Sequence, residues 1–165
     1  TVVSTPRSII FSAFKKPWRV KKYIKKNATF SSMSFIFDPI RKKNVPATRE
    51  ELVRQHVISV LTQIKNVPPH LIEVEFSLSL ISPQNKDRVD LIVTDLKNGL
   101  DHPWLLVECK APEQYTFELL EAQLNRYLRV LTPKYILLAL GNQTKIFALS
   151  ELGKYEPIDD FPNYQ

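Results

Sequence analysis

Two extended apolar runs, each broken by charge at set positions, constrain this chain more than any other feature. From Arg88 to Asp95 the residues alternate, so Val89, Leu91 and Val93 are expected on one face and Asp90, Ile92 and Thr94 on the other. Lys97, Asn98 and Gly99 supply turn residues, and a second extended run covers Pro103 to Lys110, which predicts two adjacent antiparallel strands. Residues two apart in a strand project together, placing Trp104, Leu106, Glu108 and Lys110 on one expected face and Cys109 on the other. Pro112 stops the second strand.

The same periodicities organise the rest. Thr48 ahead of Arg49, Glu50 and Glu51 fits an N-cap with a capping-box glutamate, opening a helix over about 49 to 65 whose inward face is Val53, Val57, Val60, Leu61 and Ile64. Pro68 and Pro69 end it. Leu71 to Ile81 then reads as one strand, with Ile72, Val74, Phe76, Leu78 and Leu80 on a shared face. A second helix over about 115 to 131 carries the stripe Phe117, Leu120, Leu124, Leu128 and Leu131. Strands Tyr135 to Leu140 and Lys145 to Leu149 follow, joined around Gly141 and Asn142, and the acidic, proline-containing tail shows no period. The expected order is α-β-β-β-α-β-β.

A chain of 165 residues with 44% hydrophobic content buries one sizeable core, so a single domain is expected. The longest purely apolar run, Ile136 to Leu140, is far below the roughly 18 residues that span a bilayer, and no signal-peptide pattern opens the chain. The expectation is a soluble cytoplasmic protein with no membrane partner. A single cysteine, Cys109, excludes an internal disulfide and reads as a small core residue, while only three glycines leave no phosphate-binding glycine loop. His56, His70 and His102 have no nucleophile-elbow context.

The net charge of +6 is unevenly spread. Residues 1 to 26 hold eight of the 23 basic residues and none of the 17 acids, with Trp18 and Tyr23 among the lysines. Such an arm suits phosphate contact with its rings stacked on bases, and Lys21 and Lys22 are its candidate DNA-binding residues. A solvated tail is the alternative. Ser31 to Ser34 form a polar hinge before the Phe35 to Phe37 cluster and the Asp38-Pro39 turn, dividing the chain into a basic arm, 1–34, and a core, 35–165.

What remains for chemistry is Asp90 on one strand, Glu108 and Lys110 on the next, and a carboxylate at the start of the first helix. Two carboxylates about 5 Å apart repel by roughly 3 kcal/mol at an effective dielectric near 20, which a magnesium or manganese ion would relieve. Lys110 is then suited to orient an attacking water and stabilise charge on a phosphate. The alternative is a pair of ordinary ion pairs, Asp90 with Arg88 and Glu108 with Lys110.

The sequence around these residues is more specific than the Glu-x-Lys triplet. Pro103-Trp104-Leu105-Leu106-Val107-Glu108-Cys109-Lys110-Ala111-Pro112 resembles the signature of the N-terminal domain of type I restriction enzyme R proteins, within the PD-(D/E)xK nucleases. The resemblance extends through Phe37 to Lys43, Thr48 to His56 and Arg88 to Val93, covering roughly residues 35 to 165. It implies an α/β, restriction-endonuclease-like core, a mixed β-sheet flanked by α-helices, and magnesium- or manganese-dependent DNA cleavage. By position it implies Asp90 and Glu108 as metal ligands, Lys110 as the motif lysine, and Glu51 as the helix glutamate completing the metal site, with Glu50 the alternative. Gln123 and Tyr127 match the QxxxY element of RecB-like relatives and are expected near the site or the DNA backbone. Val89 stands where the nominal motif has proline, and no helicase motor is present. Three readings therefore stand open: a metal-dependent endonuclease of restriction or defence type, a catalytically silent DNA-binding or assembly module of a restriction complex, and a protein-interaction module. Restriction-complex subunits and a second copy of the chain are the protein partners to consider.

Overall fold

A computed structural model describes residues 34–165. Lys21, Lys22 and the basic arm lie outside the described residues. The elements in chain order are β1 (Phe35–Asp38), β2 (Lys43–Pro46), α1 (Arg49–Gln63), β3 (Ile72–Ser77), β4 (Arg88–Val93), β5 (Leu105–Lys110), α2 (Phe117–Tyr127), β6 (Tyr135–Leu140), β7 (Gln143–Leu149) and β8 (Tyr155–Ile158). Short 3₁₀ turns at Pro69–Leu71 and Leu78–Leu80 flank β3.

Strands β3 to β8 form one six-stranded sheet in sequence order. Every neighbouring pair is antiparallel except β5 and β6, which are parallel, so the sheet is mixed. A parallel pair needs a crossover, and α2 supplies it between β5 and β6. One core layer packs Val53, Val57, Val60 and Leu61 of α1 against Leu91, Val93, Val107, Cys109, Leu137 and Ala139. The opposite layer packs Leu120, Leu124 and Tyr127 of α2 against Ile92, Leu106, Ile136 and Leu138. With both faces covered, all of β5 is buried, which is why Leu105 to Lys110 reads as a nearly continuous apolar run. Among the described residues no helix is long and apolar enough to cross a membrane.

Several expectations change. The chain begins its described part with a separate β1–β2 hairpin, closed by Asp38, whose Oδ1 accepts from the backbone N–H of Ile40 and Arg41 at 2.7 and 2.8 Å. Each strand is four residues, too short for periodicity to reveal. The strand expected over 71 to 81 ends at Ser77, and its shared face does not hold. Ile72 and Val74 belong to the α1 layer, Phe76 and Leu78 to the α2 layer, and Leu80 is exposed. The cause is Glu75, whose φ of 55° places it in the left-handed region and turns the strand over. Opposite it in β4, Val89 joins the α2 layer while Leu91 and Val93 join the α1 layer, so the expected alternation also breaks around Asp90. Trp104 precedes β5 and packs in the α1 layer, not beside Leu106. α1 ends before Ile64, which is exposed, and within it Ile58 is a buried residue that the stripe left out.

The tail is ordered. It contributes β8, then Phe161, which meets Trp104 edge-on at 5.6 Å between ring centroids. Lys65, buried just past α1, donates to Asp160 at 2.8 Å and to the Phe161 carbonyl at 2.5 Å, clamping the tail to the first helix.

Candidate active site

The β4–β5 ladder ends at the pair Leu91 and Val107. Asp90 and Glu108 are the next positions along each strand, where the two begin to part. β5 stays paired with β6 as far as Lys110, so its end is held while β4 diverges. The carboxylate of Asp90 fills part of the gap: its Oδ2 accepts from the Cys109 N–H at 2.7 Å, a bond a neighbouring strand would otherwise make. Its Oδ1 accepts from Arg54 Nη2 at 2.6 Å. Arg88 takes no part in this pairing.

Glu108 is almost fully buried, 1% exposed. Its Oε1 accepts from Gln123 Nε2 at 2.6 Å and lies 3.0 Å from Lys110 Nζ, while among the described residues the buried Oε2 has no partner. Burial first, and then the charge of Asp90, push its carboxyl up to about 8 against the opposing pull of Lys110. Lys110 Nζ also stands 3.4 Å from Glu50 and 3.7 Å from Asp90. Burial works against its charge, but Asp90 and Glu108 outweigh it and hold the ammonium above its usual range, so it is cationic at neutral pH.

Thr48 caps α1 as expected, accepting from the Glu51 N–H at 3.1 Å. The reciprocal half of the capping box is missing, because the Glu51 side chain is used elsewhere. It takes Arg41, Arg54 Nη1 at 2.5 Å and Gln55 Nε2 at 2.9 Å, and is buried. Glu50, about one-third exposed, is the helix glutamate beside Lys110. In α2, Gln123 and Tyr127 are one turn apart and bonded to each other, and the Tyr127 hydroxyl donates to the Arg88 carbonyl at 2.9 Å. Gln123 therefore touches the Glu108 carboxylate directly, and Tyr127, itself buried, braces Gln123 against β4. Cys109 faces the α1 layer, away from Glu108.

The residues that sequence reasoning missed are Arg54, Arg41 and Gln55. Helical spacing signals the pairing of Arg54 with Glu50 and Glu51, but not its contact with Asp90, 36 residues distant.

Among the described residues no three His, Cys, Asp or Glu side chains form a ready-made metal cage. The donor set nonetheless suits a hard cation. Magnesium is commonly held by one or two carboxylates with water and phosphate oxygens, and the unpartnered, buried Oε2 of Glu108 is an acceptor in want of a positive ligand.

A mixed sheet covered by a helix on each face, with two acids and a lysine gathered where central strands part, defines the class: an α/β domain with an acid-and-lysine site. The family model for the type I restriction enzyme R protein N terminus matches residues 49–162, and the chain belongs to that family. The β1–β2 hairpin precedes the matched segment. Comparisons with curated proteins and with solved structures give no match.

Proposed function

We propose that this domain is a restriction-type endonuclease that hydrolyses DNA phosphodiester bonds with a divalent cation, magnesium or manganese. The observation that carries the proposal is the contact of Lys110 Nζ with Glu108 at 3.0 Å and its approach to Asp90 at 3.7 Å, beside a Glu108 oxygen that has no partner. Asp90 and Glu108 would hold the cation, with Glu50, which stands 3.4 Å from Lys110 Nζ, as a further helix acid beside them. When bound, the ion supplies charge for the scissile phosphate and acidifies a water. Because Lys110 stays protonated, its part is to orient that water by donating a hydrogen bond and to stabilise the charge growing on the phosphate. Gln123 fixes the rotamer of Glu108, and Tyr127 fixes Gln123. Family membership supports a restriction-complex setting, with DNA as substrate and the other subunits of such a complex as partners.

The test is a magnesium and manganese titration with a plasmid and with a short single strand as substrates. Metal-dependent cleavage that chelation abolishes is expected. DNA binding without cleavage at any metal concentration would leave a silent assembly module instead.

A further inference from the structure

A second cation enmeshed in the site lies on α1. Arg54 is 5% exposed and reaches three acids: Asp90 Oδ1 at 2.6 Å, Glu51 Oε2 at 2.5 Å and Glu50 Oε1 at 3.5 Å. These pairs belong to a continuous network. Arg41 joins Asp38 and Glu51 and approaches Glu75 at 3.9 Å, while Lys110 joins Glu50, Asp90 and Glu108. Six acids thus face three bases, and the excess is negative.

Among the described residues the buried Arg54 Nε–H has no acceptor. Its two terminal nitrogens are instead spent on the helix acids and on Asp90, the carboxylate that would ligate a cation. The three-acid convergence that a metal cage requires is absent among the described residues, and the group lying between Asp90, Glu50 and Glu51 is the Arg54 fork.

We propose that Arg54 is a built-in counter-ion of the site, a positioning residue that holds Asp90 and the helix acids together and competes with a divalent cation for Asp90. The consequence is a threshold. A cation must draw Asp90 Oδ1 away from the fork, or share it, before the site is complete, and its affinity is lowered by the charge it meets there. This rests on reading Asp90 and Glu108 as cation ligands, but it concerns binding and not cleavage.

Calorimetry with manganese alone, on the full 165-residue chain, tests it. The Arg54→Met variant, which removes the charge but keeps much of the volume, is expected to bind manganese roughly tenfold more tightly than the unaltered chain. It is also expected to gain more melting temperature from manganese. Equal or weaker binding would overturn the proposal. If the variant is unfolded without metal, recovery of its helical signal on adding manganese is expected, and a chain that stays unfolded overturns it. Arg54→Lys keeps a charge in place and is expected to bind within about threefold of the unaltered chain. A lysine variant as tight as Arg54→Met would show that fork geometry, not charge, sets the competition, and would also overturn it. Cleavage is scored separately. A chain that never cuts DNA, yet gains manganese affinity in Arg54→Met, sinks the nuclease reading and leaves Arg54 standing. A chain that cuts but shows no gain does the reverse.

Discussion

Asp90 is held from two directions, by the Cys109 N–H and by Arg54, so its replacements should separate chemistry from stability. Asp90→Asn is expected to abolish cleavage while preserving the far-UV spectrum. Asp90→Ala should lose cleavage and also about 3 kcal/mol of stability in urea, because it strands a buried guanidinium and a strand N–H. Stability unchanged in Asp90→Ala would show that the Arg54 contact contributes nothing. The two helix glutamates should part in the same way. Glu50→Gln should lower cleavage with little effect on the urea midpoint, whereas Glu51→Gln, buried against Arg41 and Arg54, should lose roughly 2 kcal/mol or more. Equal midpoints would contradict the assignment of Glu51 to structure. Glu108 makes stability depend on pH. Between its ordinary value of 4.5 and its folded value of about 8, the folded chain retains a proton that the unfolded chain has released. Stability without metal is therefore greatest below this window and falls as pH rises through it. Melting temperatures taken from about pH 5 to about pH 8 should show that decline, and Glu108→Gln should flatten it.

The elements decide how firmly these side chains are presented. Gly141 opens the β6–β7 hairpin with a φ of 60°, and its N–H donates to the Lys110 carbonyl at 3.0 Å. A Cβ there would lie 3.0 Å from two carbons of Pro112, the residue that ends the β5 extension. Gly141→Ala should accordingly lose roughly 1–2 kcal/mol through backbone strain and contact, and should slow cleavage by displacing Lys110. A variant with unchanged midpoint and rate would free this turn of any role in the site. The Gly141 turn, the Thr48 cap and the Glu108-x-Lys110 strand were legible because each depends on neighbours within a few residues. Glu75 was not, since nothing in glutamate's own preferences announces a left-handed φ; tertiary packing of Phe76 and Leu78 against α2 imposes it. Tyr155–Ile158 was invisible because its side chains do not alternate and a proline lies within it, which an edge strand tolerates. The contact of Arg54 with Asp90 was unreadable for a different reason: it exists only once a helix and a strand are packed together.

At the scale of the molecule, charge is divided between a basic arm and a core whose bases and acids nearly balance. If the arm contacts phosphates, deleting residues 1 to 26 should weaken DNA binding and flatten its dependence on salt, because fewer counterions are released. Cleavage at saturating DNA should persist, as Glu50, Asp90, Glu108 and Lys110 all lie in the core. An unchanged slope of log affinity against log salt would reduce the arm to a solvated tail. The core itself is closed by the Lys65 clamp, which joins residues 96 apart in sequence. During synthesis this has a consequence for timing. The first helix emerges early, but the buried ammonium of Lys65, just past it, does not meet the Asp160 carboxylate and Phe161 carbonyl until those residues leave the ribosome. Closing so long a loop carries an entropic cost, and the layer that carries Arg54 and Glu51 is expected to lack this clamp until Asp160 and Phe161 have been made. A nascent chain halted short of Phe161 therefore carries Asp90 and Glu108 on their strands and Glu50 on α1, but not the clamp that ties the tail to that helix.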